Sequence, residues 1–128
     1  MHKEKNEMSA PAKSVFVFAI YLVGLGLVLL ITPNTLIRLF RYPETHEVWI
    51  HVVGMLVLFL AFYYFQAART EWMAFFRWTV YPRSSVIIFF TAFVLLGLAP
   101  WVLILFGVLD LLFAVWTALA LRSTRAPR

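Results

Sequence analysis

The sequence predicts an all-α polytopic membrane protein: a four-transmembrane-helix bundle with a short interfacial helix between helices 1 and 2. Two observations carry this. The 128 residues are 63% hydrophobic and 13% charged, with a mean hydropathy of +0.88; soluble domains average about 45–50% apolar and about 25% charged. The charges also fall between long apolar runs, so the net charge of +5 does not collect on one soluble face. That pattern points to the lipid bilayer as the partner and away from nucleic acid. The same composition excludes disorder. With no cysteine, disulfides, thiolate metal sites and a cysteine nucleophile are excluded too.

A bilayer core of about 30 Å needs roughly 20 helical residues. Residues 14–37 contain no charge, and their most apolar part supplies the first span, at about 14–32. The run is long for a signal peptide and no small-x-small cleavage pattern follows it, so it reads as a retained helix. Next, Thr32-Pro33 followed by 34–41 reads as a cap, a Pro at the helix start and one or two interfacial turns, ended by Tyr42-Pro43. A second charge-free run gives the second span, at 48–68. From 84 to 121 the only charge is Asp110. Those residues would make one helix of about 57 Å at 1.5 Å per residue, so the chain must fold back. Gly97-Leu98-Ala99-Pro100 is the turn. The third and fourth spans fall at 75–98 and 100–121, and Pro82 should kink the third. All of 1–128 reads as a single membrane domain, with short tails at 1–13 and 122–128.

Charge sets the expected threading. Lys3, Lys5 and Lys13 lie in the first tail, Arg69, Arg77 and Arg83 around the second connection, and Arg122, Arg125 and Arg128 in the last tail. The first connection has only Arg38 and Arg41, and the third has none. By the positive-inside rule both termini face the cytoplasm, in a cell (inner) membrane.

Six residues stand out as candidate ligand-binding or proton-carrying groups: Asp110, Arg83, Arg77, Tyr81, Gln66 and His51. Asp110 sits mid-helix, with Gly107, Ala114 and Thr117 on its face. An acid there normally faces the bundle and has a partner. Arg83 lies at a similar depth on the adjacent helix and is the expected partner. The acid is then either a proton carrier or a strut locking two helices. Arg77, nearer the interface, serves headgroups or a ligand. Gln66, Tyr63, Tyr64, Tyr81, Ser84, Ser85 and Thr117 make a candidate polar pocket, with Trp72, Phe75, Phe76 and Trp78 at its mouth; the plainer reading is an aromatic belt with snorkelling arginines. His51 begins a packing seam with Gly54, Leu58, Ala61, Phe65 and Ala68, and can bond Glu47 or carry a proton. His46 lies on another face and His2 in the tail, which disfavours haem within one chain. No metal-ligand spacing, phosphate-cradling loop or acid–base–nucleophile constellation appears, so no catalytic or metal residues are assigned.

In its order of features the chain resembles the small bacterial DoxX-like membrane proteins. These have a first span, a Pro-started amphipathic turn (here 33–40) and a second span opening with a polar residue and glycine (here His51 and Gly54). The resemblance implies a link to quinones or redox partners, and no residue roles. Small multidrug transporters share the size and helix number but carry an essential glutamate on helix 1, and helix 1 here has no acid. The expected role is an accessory subunit, or a binder of a lipid-like or quinone-like molecule, working with other membrane subunits or as a homo-oligomer. The alternative is a small proton-coupled transporter or exporter acting as an oligomer, with Asp110 as the carrier.

Overall fold

In a computed structural model of the chain, residues 8–41 and 43–124 are described, with Thr124 by its backbone only. The expectations for His2, Lys3, Lys5, Tyr42, Arg125 and Arg128 lie outside the described residues. The elements are α1 (Ala10–Ile31), α2 (Pro33–Leu39), α3 (Val48–Arg69), α4 (Met73–Leu95) and α5 (Val102–Thr124). Four of them, α1, α3, α4 and α5, are long and apolar enough to cross a bilayer, and α2 is the short helix expected between the first two spans. The described residues contain no strand.

Helix α1 starts four residues ahead of the expected position. Ser9 caps it, its hydroxyl accepting from the Ala12 amide at 3.2 Å, and Pro11 lies in the first turn. A partner distant in sequence completes the cap. The Glu71 carboxylate, in the α3–α4 turn, accepts from the Ser9 amide at 2.9 Å and from the Ser9 hydroxyl at 2.7 Å. Glu71 holds a left-handed backbone, φ 55°, to do so. Charge-assisted bonds at an N-cap are stronger than neutral ones. Glu71→Gln should therefore lower the melting point in detergent, by about 1 kcal/mol of stability, while leaving the helical signal in circular dichroism unchanged.

The apolar cluster of Ala12, Val15, Ala67, Ala68, Phe76 and Leu121 seals the same end of the bundle. The start of α1, the α3–α4 turn and the end of α5 meet there, as an up-down-up-down bundle requires. Lys13, Arg69 and Arg122 are exposed at this end, called the basic end below. Leu121 is buried in that core at the expected stop of α5, and the helix runs three residues past it to Thr124.

Helix α1 is the hub. It packs along α3 and α5 and touches α4, while α4 packs along α5. The α1–α3 crossing depends on glycine. A Cβ on Gly54 would lie 2.5 Å from the Leu30 amide nitrogen and 2.9 Å from the Gly26 carbonyl oxygen, so the two backbones are in contact. The seam predicted on α3 follows that line through Leu58, Ala61 and Ala68. Gly24, paired with Gly26 in the sequence, meets nothing.

At the far end His51 does not turn to Glu47. Its Nδ1 lies 2.6 Å from the Leu30 carbonyl, one of the acceptors left open where α1 ends. In the first connection Asn34 bonds the backbone of Thr45 in both directions, and Arg38 pairs with Glu44. Helix α4 runs unbroken through Pro82 and ends at Leu95, where Gly97 takes φ 79° and closes the helix. This is the expected turn, with α4 stopping three residues short of the predicted 98.

Candidate functional site

Helices α3 and α4 are joined by a turn of only three residues, yet they barely pack against one another. They meet at the basic end through Tyr64, whose ring lies 5.4 Å from Phe75 and whose hydroxyl accepts from Thr79 at 3.2 Å. Away from that contact they part, and a cleft of about 650 Å³ opens between them. Its walls are aromatic: Phe62, Tyr63, Tyr64, Trp72, Phe75 and Trp78. Its polar groups are few, namely Gln66, Arg69, Thr70 and Thr79. Gln66 accepts from Arg69 at 2.9 Å, so the two form one polar edge. Pro82 adds an acceptor, because it has no N–H to give the Trp78 carbonyl and that oxygen is left to bond elsewhere.

A second polar group lies behind the cleft wall. Arg83 is ten residues into α4 and only 3% exposed. Its Nη2 donates to Thr117 Oγ1 of α5 at 3.0 Å and its Nε to the Thr79 carbonyl at 3.4 Å. The guanidinium lies 4.8 Å from the centre of the Phe18 ring and 5.8 Å from that of Tyr64, a cation–π arrangement that helps hold a desolvated charge. Thr117 and Ser14 of α1 are both fully buried and their hydroxyls are 2.6 Å apart. Ser14 donates its one proton to the Pro11 carbonyl at 2.7 Å. Thr117 must then be the donor to Ser14. The chain of donation runs one way, from Arg83 to Thr117 to Ser14 to Pro11, and ties α4, α5 and α1 together.

The expected pairing of Arg83 with Asp110 is not what the structure shows. Their helices do pack against one another. The one ion pair among the described residues, however, is Arg38 with Glu44. Arg83 reaches toward the basic end, to Thr117, two helical turns from Asp110 on the same face of α5. Asp110 is half-buried, on the stripe of α5 that includes Gly107, Ala114 and Thr117.

The remaining candidates separate. Gln66 lines the cleft with Tyr63 and Tyr64, as the sequence grouped them. Tyr81 and Arg77 are exposed on the outside of α4 and do not line it. Phe76 packs in the core against Ala12 and Leu121 and is not at the mouth. Ser85 bonds the Pro82 carbonyl of its own helix, and Thr117 lies on the far side of Arg83. His51 is at the opposite end of the bundle. Sequence reasoning missed Ser14, Tyr21 and Thr79. Ser14 and Tyr21 are seven residues apart on α1, the spacing of one helical face. That is the signal by which they were findable, had the polar residues of α1 been set against the stripe on α5.

Four spans, an apolar surface and an interior with few polar groups define a small integral membrane protein. No family model, curated protein or solved structure matches the chain.

Proposed function

We propose that the protein binds an amphipathic, lipid-like or quinone-like molecule in the cleft between α3 and α4, as an accessory component of the cell (inner) membrane with its basic end in the cytoplasm. The observation that carries this reading is the cleft itself, an aromatic-walled space of about 650 Å³ between two helices the chain holds apart. Ligand sites are concave, mostly apolar and marked by a few placed polar groups. Here the flat faces of Trp72, Phe75 and Trp78 suit a ring or an acyl chain, while Gln66 and Arg69 suit a carbonyl or headgroup and the Trp78 carbonyl suits a hydroxyl. The cleft lies toward the end that exposes Lys13, Arg69 and Arg122, the end the positive-inside rule assigns to the cytoplasm.

Native mass spectrometry of protein extracted in mild detergent tests this. The wild type should retain one bound small molecule. Leu60→Trp, which fills the cleft from its exposed rim, and Trp78→Ala, which removes a wall, should each lower its occupancy several-fold. A wild type that retains nothing, or variants that retain as much as the wild type, would overturn the reading.

A further inference from the structure

Two buried donors among the described residues have no acceptor: Nη1 of Arg83 and the hydroxyl of Tyr21. One acid on the buried stripe of α5, Asp110, has no hydrogen bond or ion pair among them. The helix register places these three groups together. Helices α1 and α5 run antiparallel, and Ser14 meets Thr117 across their seam. Seven residues on from Ser14 is Tyr21, and seven back from Thr117 is Asp110. Each lies about 10.5 Å deeper at 1.5 Å per residue, so the two face one another at one depth. The Tyr21 ring stacks on Phe113 of α5 at 5.6 Å, which confirms that it looks across this seam. Between the two levels is Phe18, and over Phe18 lies the Arg83 guanidinium.

Asp110 therefore faces Tyr21 from α1 and Arg83 from α4, with no hydrogen bond to either. From α3 the nearest titratable group is Tyr64, beside Arg83. From the first connection the Phe40 ring, which carries no charge, meets Phe106 of α5. A strut would show Asp110 in contact with a cation, and Arg83 is instead bonded to neutral oxygens. An ionised carboxylate in the bundle interior needs donors, and the structure holds two that nothing else uses.

We propose that Asp110 is a half-buried proton-binding site, with Arg83 and Tyr21 as positioning residues that receive the carboxylate when it gives up its proton. With the proton bound, Asp110 is neutral and needs no donor, which matches its lack of a hydrogen bond or ion pair among the described residues. On release, one proton passes from the carboxyl oxygen to water, and the carboxylate accepts from Nη1 of Arg83 and from the Tyr21 hydroxyl. Two hydrogen bonds form and no existing one must break. The site is separate from the cleft and stands whether or not the cleft holds a ligand.

Infrared difference spectroscopy on the full chain in lipid bilayers, with the bath pH stepped, tests it. The wild type should show the carbonyl stretch of a protonated carboxylic acid that comes and goes in one titration. Asp110→Asn should abolish the band and Asp110→Glu should move it in frequency. In Arg83→Gln and in Tyr21→Phe the titration midpoint should move by about one pH unit or more, a tenfold change in proton affinity. The proposal fails if no band titrates, or if the band survives in Asp110→Asn. It also fails if the midpoint ignores both positioning variants. Should Asp110→Asn not fold, Asp110→Glu and the two positioning variants decide the matter without it.

Discussion

Gly54→Val should cost about 3 kcal/mol or more and leave little folded protein after extraction in detergent. The reason is the nature of the obstacle. A Cβ at Gly54 would lie 2.5 Å from the backbone nitrogen of Leu30 and 2.8 Å from the carbonyl carbon of Leu29. Flexible side chains yield to such an intrusion and helix backbones do not, so the cost sits at the upper end for overpacking. Parting the two helices would also break the bond between His51 and the Leu30 carbonyl, one turn away. It would reopen a seam that continues through Gly26 and Leu58. In lipid no apolar-burial force pulls the helices back, because close packing is itself the driving force. Gly26→Ala should be milder, since the atoms it meets first belong to the Leu58 side chain, at 2.8 and 2.9 Å. Gly24→Ala meets nothing and should be neutral. Thermal melts of the three variants followed by size-exclusion chromatography check the order; equal losses at Gly24 and Gly54 would refute it.

The spans were legible because each long helix must satisfy its own backbone in lipid, so length and apolarity alone mark it. The interfacial helix was legible from Thr32-Pro33 and the amphipathic turns after it. What the sequence could not show was which helices touch. The helices of Arg83 and Asp110 were expected to touch, and α4 with α5 do, but α3 and α4 part and leave the cleft. Glu71 shows why. It fastens the α3–α4 turn to Ser9, while α3 packs along α1 and α4 along α5, so neither helix needs the other to hold its position. Half of the polar group was read correctly as polar and wrongly as a pair. Arg83 and Asp110 were matched by depth, charge and adjacent helices, while the hydroxyl of Thr117 accepts from Arg83 Nη2 and passes the series on to Ser14 and the Pro11 carbonyl. A reading by opposite charge overlooks neutral acceptors, and Ser14 and Thr117 are neutral.

That series has a consequence for stability. Thr117→Val should cost about 2–3 kcal/mol, although valine has nearly the same shape. Ser14 loses only an incoming proton and keeps its bond to the Pro11 carbonyl. Arg83 loses its best acceptor. Both Nη atoms of a side chain only 3% exposed would then be unsatisfied, leaving the 3.4 Å bond to the Thr79 carbonyl and two aromatic faces to hold a full charge. A buried donor left without an acceptor costs about 1–3 kcal/mol, more when charged. Arg83→Met should behave differently. It removes the charge together with its need for acceptors, and a flexible thioether fits between the rings of Phe18 and Tyr64. Its cost should be near zero, as for other buried charges replaced by apolar groups of similar volume. In the Arg83→Met background the Thr117→Val change should then cost about 1 kcal/mol or less, a coupling of about 2 kcal/mol between the two sites. Unfolding titrations in mixed micelles on the four-member cycle give this number directly. Strict additivity would mean that the guanidinium draws its support from elsewhere, from water or from Asp110.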